Sequence, residues 1–135
     1  MLTVSWDTIR LFLHILAATV WVGGQITLLG LLPTLRAIGP DAPRLAARRF
    51  NLIAWAAFAV LVVTGIWNIL AINIGNATTA YQVTLMIKLT VVFLSGAGAA
   101  FHTLSRSKAA LAIGGALGLL GALAAVFLGI LLAGH

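Results

Sequence analysis

Residues 109–133 read AALAIGGALGLLGALAAVFLGILLA, without one charged or hydrogen-bonding side chain. About 20 such residues, rising about 1.5 Å each, cross the roughly 30 Å hydrocarbon core of a bilayer as a helix. Lipid offers no partner to a backbone N–H or C=O, so the segment must satisfy those groups within itself. Three more apolar runs lie upstream, at residues 11–32, 52–72 and 83–101. None alternates apolar with polar residues, which excludes a transmembrane barrel. The sequence predicts an all-α integral membrane protein: a four-helix transmembrane bundle forming one domain over residues 1–135.

Composition agrees. Hydrophobic residues make up 62% of the chain and charged ones 7%, and the mean hydropathy is +1.16. A soluble domain carries about 25% charged residues. Eight basic and two acidic side chains cannot cover a water-facing surface, so the lipid bilayer is the expected partner. The absence of cysteine excludes disulfides, thiolate metal sites and cysteine nucleophiles. The net charge of +6 does not point to nucleic acid, because the basic residues fall in the gaps between apolar runs.

Those gaps give a topology. Arg36, Arg44, Arg48 and Arg49 lie between the first two spans, Arg106 and Lys108 between the last two, and the middle connection has no charge. The positive-inside rule puts the arginine-rich loops in the cytoplasm and both termini outside, in the cell's cytoplasmic membrane. Arg10 alone opposes this. The first span is too long for a signal-peptide h-region of about 7–15 residues, and its positive charges follow it. Pro33 is expected to close that span, with Gly39-Pro40-Asp41-Ala42-Pro43 breaking the chain beyond it. A short amphipathic turn through Arg44, Arg48 and Arg49 then leads into the second span.

Small residues suggest how the helices pack. Gly114, Gly118, Gly121, Ala125 and Gly129 form a ridge on the fourth span, and the third offers Gly96 and Ala100. Such ridges let backbones approach closely in lipid. The ridge packs within the chain, or part of it meets a second copy (a homo-oligomer) or other subunits of a membrane complex.

Polar groups inside lipid are costly, and therefore functional suspects. Here they are His14 and Gln25, Thr64 and Asn68, Lys88 and Ser95, with His102 and His135 at ends. His14 is about six residues in from Thr8 and Lys88 about seven in from Tyr81, so both sit roughly 10 Å below the outer surface. Asn68 and Trp67 reach a similar level from the opposite direction. His14, Lys88 and Asn68 can meet in one layer. His102 lies roughly 20 Å deeper than His14 and cannot share a ligand with it. A bland alternative exists for each: a lysine at this depth can snorkel, and a histidine near an interface can bond a carbonyl. Trp6, Trp67 and Tyr81 fit an interfacial belt. Trp21 lies two turns after His14 on nearly the same face, with Gly23 and Gly24 beyond it. Together these form the wall of a flat pocket or ordinary core packing.

The run His14-Ile-Leu-Ala-Ala-Thr-Val-Trp21-Val-Gly23-Gly24 resembles the first helix of the membrane domain of the copper-resistance D (CopD) family. The likeness continues through Arg48-Arg49-Phe50, Thr64-Gly65, Thr79-Ala80-Tyr81 and Met86-Ile-Lys88-Leu89, covering roughly residues 10 to 108. HemJ-type protoporphyrinogen oxidases are similar in a weaker way. They share a histidine seven residues before a tryptophan and a stretch like Ile87-Lys88-Leu89-Thr90. In that group the histidine and lysine are functional and associated with haem, a role that would map onto His14 and Lys88.

Three functions follow as expectations. The CopD resemblance implies a membrane protein handling copper or a metal cofactor. Cu(I) prefers sulfur ligands, and His14 with Met86, the only internal methionine, are the ligands available. The HemJ likeness implies a haem-binding redox protein, with haem b at His14 and Lys88; Trp21 and Asn68 are the neighbours expected from helix face and depth. Lys88 would ligate as the neutral amine or pair with a propionate. The third class is a non-catalytic accessory subunit. Whether the chain is an enzyme stays open: it has no paired carboxylates, since there is no glutamate and both aspartates lie outside the spans.

The topology is tested with single cysteines at Ala42 and Ala77 and an impermeant thiol reagent. Ala77→Cys should label from outside intact cells and Ala42→Cys should not; the reverse pattern inverts the protein.

Overall fold

The computed structural model describes residues 1–135 and contains helices only. They are α1 (Trp6–Ile38), α2 (Ala42–Ala71), α3 (Thr79–Leu104) and α4 (Lys108–Ala133), with a short 3-10 turn at Ile74–Asn76. All four are long and apolar enough to cross a membrane, so the chain is an all-α multi-pass membrane protein. The chain divides into two compact units, Met1–Ile72 and Asn73–His135, and each is an antiparallel hairpin.

Helix starts follow ordinary capping chemistry. The Ser5 hydroxyl accepts from the Thr8 N–H, and the Thr8 hydroxyl takes the Ser5 N–H in return, satisfying two orphan donors at once. The Thr78 hydroxyl accepts from the Tyr81 N–H at the start of α3, and the Ser107 hydroxyl from the Ala110 N–H at the start of α4. The first helix does not stop at Pro33. It runs through the proline to Ile38, giving up one backbone bond in exchange for five further helical residues. The Arg44–Arg49 segment likewise is not a separate turn: α2 is helical from Ala42. Pro43 sits at its second position, where no intrahelical N–H bond is lost, and the arginines, alanines and leucine that follow are good helix formers.

Packing is the inverse of a soluble core. The buried apolar residues are Ala17, Trp21, Ala54, Ala57, Leu85 and Ala122, while leucines, isoleucines and phenylalanines along every helix are exposed. In the first hairpin Ala17, Ala54 and Ala57 line the seam, and Gly24 leaves the space that the Phe50 ring occupies. In the second hairpin glycine meets glycine. A Cβ on Gly98 would lie 2.7 Å from the Gly118 nitrogen, and one on Gly114 would lie 2.7 Å from the His102 nitrogen. Gly121 similarly backs onto the Val91 carbonyl and Ser95. The Ser95 hydroxyl, 1% exposed, donates to the Gly118 carbonyl at 2.6 Å. The expected ridge of the fourth span thus meets α3 of its own hairpin. On the α3 side Gly96, expected from the sequence, is buried, and Gly98 beside it meets the α4 backbone.

Exposed hydroxyls satisfy themselves. Thr19, Thr27, Thr84, Thr90 and Thr103 each donate to the carbonyl four residues back, so none presents a bare donor to lipid.

One methyl group separates a tight glycine from a roomy one. Gly114→Ala must push α3 and α4 apart and should cost about 1–3 kcal/mol, seen as a lower melting temperature in detergent. Gly23→Ala meets nothing within 4 Å and should be neutral or slightly stabilising. Equal melting temperatures for the two variants would refute the backbone contact.

Candidate functional site

The polar residues of the first hairpin form a register. In an antiparallel pair, moving one turn back along α1 matches moving one turn forward along α2. Trp21 of α1 packs on Trp55 and Phe58 of α2, with ring centroids 5.4 and 4.6 Å apart. Trp55 and Phe58 themselves pack edge to face at 5.6 Å and 78°. Two turns nearer the N terminus, His14 meets Thr64. One turn further still, Arg10 stands on the His14 face of α1 and Asn68 on the Thr64 face of α2.

The His14–Thr64 contact carries the most chemical information. His14 Nδ1 and Thr64 Oγ1 are 2.9 Å apart. Thr64 Oγ1 also lies 2.7 Å from the Val60 carbonyl oxygen, which can only accept. A threonine hydroxyl has one proton. That proton goes to Val60, so Thr64 accepts from His14, and His14 must carry its own proton on Nδ1. In the neutral ring the lone pair is then on Nε2. This is how an imidazole is prepared to ligate a metal: one nitrogen is tied by a hydrogen bond and the other becomes the base. Gly65 lies beside the ring, and a Cβ there would be in ordinary contact with His14 Cε1 at 3.5 Å.

The other expected residues fall as follows. Trp21 is 4% exposed and is the centre of an aromatic cluster. Asn68 is half-buried, and its Oδ1 is buried without a hydrogen-bond partner. Gln25 donates to the Trp21 carbonyl at 3.0 Å. In the second hairpin, Lys88 lies alongside α4, where a Cβ on Gly129 would come within 3.2 Å of its Nζ. Neither ion pair of the protein involves Lys88; they join Arg10 to Asp7 and Arg44 to Asp41. Met86 is 63% exposed on α3. No group of three or more His, Cys, Asp or Glu residues gathers as a metal site.

His102 is engaged differently. Its Nδ1 donates to the Leu111 carbonyl at 2.6 Å, and Gly115 makes room for the ring. This closes the end of the α3–α4 hairpin.

Sequence reasoning passed over three participants. Arg10 read as a weak objection to the topology but is 8% exposed. Its position four residues before His14 was the available signal. Trp55 and Phe58 lie in an apolar run where no periodicity distinguishes them. Thr64 stood among the polar residues, but nothing in its spacing named His14 as its partner.

No family model, curated protein or solved structure matches the chain.

The tautomer is testable. In 15N spectra His14 should be protonated on Nδ1 at neutral charge. Thr64→Ser should keep that state, and Thr64→Val should yield a tautomer mixture and lose about 1–3 kcal/mol of stability. An unchanged His14 signal in Thr64→Val would remove the relay.

Proposed function

We propose that this chain is a CopD-like protein of the cytoplasmic membrane that handles a metal cofactor, and that the cofactor is a haem ligated by His14. The observation that carries this reading is the chain of bonds from His14 Nδ1 through the Thr64 hydroxyl to the Val60 carbonyl. It leaves Nε2 as the basic nitrogen of a ring held in a fixed orientation.

The donor set favours haem over a bare ion. A porphyrin supplies four donors itself, so one histidine can hold the iron. A resident copper ion needs several protein ligands, and no such group gathers here. Bound haem would supply one-electron chemistry at its iron. The chain's own part is to bind and tune. Thr64 orients His14 and raises its basicity. The Trp21–Trp55–Phe58 cluster keeps the hairpin below His14 apolar, which limits water and shapes the potential.

Lys88 is the proposed second group, as a neutral-amine ligand or a partner for a carboxylate. Its support is the sequence, where its distance into its span is like that of His14 into its own, and the family likeness, which selects the same two residues. Copper handling is the second reading. It rests on the CopD resemblance, with copper as cargo that passes His14 and Met86.

An absorption spectrum and metal analysis of the purified protein separate the readings. Haem gives a Soret band and stoichiometric iron. His14→Ala should abolish the band while the protein still inserts in the membrane. Lys88→Ala should weaken binding, and Lys88→Arg should restore it only if the lysine pairs with a carboxylate. Copper without a Soret band would leave the copper reading, and neither metal would leave an accessory subunit.

A further inference from the structure

Two buried side-chain atoms have no hydrogen-bond partner: Nε of Arg10 and Oδ1 of Asn68. The His14–Thr64 bond fixes the register of the hairpin at that point. Arg10 precedes His14 by four residues and Asn68 follows Thr64 by four, so both lie one turn toward the N terminus of α1, on the facing sides of the two helices. One is a donor and the other belongs to an amide that can accept or donate. Unpaired polar groups are rare in a protein interior and costly in lipid.

The guanidinium brings charge as well. Its side chain is 10% exposed, and its one ion-pair partner, Asp7, is 73% exposed at 3.1 Å from Nη2. Water screens the aspartate far more than the buried arginine, so positive character remains at Nε, on the inward side. Below Arg10 on α1, Leu13, Ala17 and Val20 continue its stripe at three- and four-residue steps. With Ala57 and Val60 of α2 they border an apolar groove of about 290 Å³. The same hairpin thus carries a buried cationic donor and an apolar furrow, whose lining on α1 begins one turn beyond Arg10 at Leu13.

We propose that Arg10 and Asn68 form a carboxylate-binding site for an amphiphilic acid whose apolar body lies along the α1–α2 hairpin. One carboxylate oxygen accepts from Arg10 Nε–H in a charge-assisted bond. The second meets Asn68, which presents its NH2 after a half turn about the terminal torsion. A propionate of haem and the head of a fatty acid share this chemistry. The carboxylate site does not depend on the haem reading; only the assignment of the carboxylate to haem rests on it.

Esters test the site without mutation. Haemin and haemin dimethyl ester are titrated into the purified full-length protein by absorbance, and cis-parinaric acid and its methyl ester by fluorescence. The free acid should bind at least about tenfold more tightly than its ester. Arg10→Gln should erase that preference in both pairs. Preference for parinaric acid with no haemin binding would keep the carboxylate site and refute the haem reading. Equal binding of acid and ester in both pairs, or no binding of any of the four, would overturn the site, and this comparison on the unmodified protein stands even if Arg10→Gln does not fold.

Discussion

Everything in this structure depends on how closely two helix backbones can approach. In lipid there is no hydrophobic force to drive apolar side chains together, because the solvent is as apolar as they are. Association has to come from dispersion contacts and hydrogen bonds between surfaces that fit. That explains why the seams are built from Ala17, Ala54, Ala57, Gly98, Gly114 and Gly118, while most phenylalanines and leucines face outward. The tightest seam is the one in the second hairpin. There a hydroxyl on a short side chain, Ser95, reaches the backbone of the facing helix directly.

The same closeness positions the polar residues of the first hairpin. Threonine can bond across a helix pair only if the backbones leave no room for anything between. Because Thr64 also turns its proton back to Val60, it offers His14 an acceptor and nothing else. An ordinary helix-stabilising habit of threonine in lipid thereby becomes a device that selects a tautomer. Thr19, Thr27, Thr84, Thr90 and Thr103 make the same backward bond. Among these side-chain bonds, only the one made by Thr64 is joined by an imidazole.

The architecture was legible because lipid imposes a simple rule: four apolar stretches of sufficient length must be four helices. Helix ends were less legible. Pro33 carries a general stop signal, yet the helix passes through it, since a missing N–H removes one bond and leaves every other turn intact. The site was legible in its residue types and not in its pairings. His14, Trp21, Asn68 and Lys88 stand out from sequence because each is expensive or bulky in an apolar run. Thr64 as partner of His14, or Phe50 filling the space left by Gly24, depends on the antiparallel register, and register is set by contacts between alanines that look alike in a sequence. The burial of Arg10 was hidden for a related reason. As a charge near a span's edge it counts toward topology, and only the helix face it shares with His14 shows that it is buried.

The two internal histidines show why register, more than residue type, separates structure from candidate chemistry. Both hold a proton on Nδ1, since His102 donates to a carbonyl and His14 to a hydroxyl whose own proton is engaged. Both therefore have a basic Nε2 when neutral. His102 is exposed and binds across its hairpin to Leu111, so its ring serves to close the end of two helices. His14 is half-buried, between the aromatic cluster of Trp21 on one side and the unpartnered Arg10 Nε and Asn68 Oδ1 on the other. A ligand at His14 Nε2 would find an apolar surface in one direction and a cationic donor in the other, within about two turns of a single helix. A flat apolar molecule with an acidic edge requires that combination, and nothing in the packing of the hairpin alone requires Arg10 to be buried there.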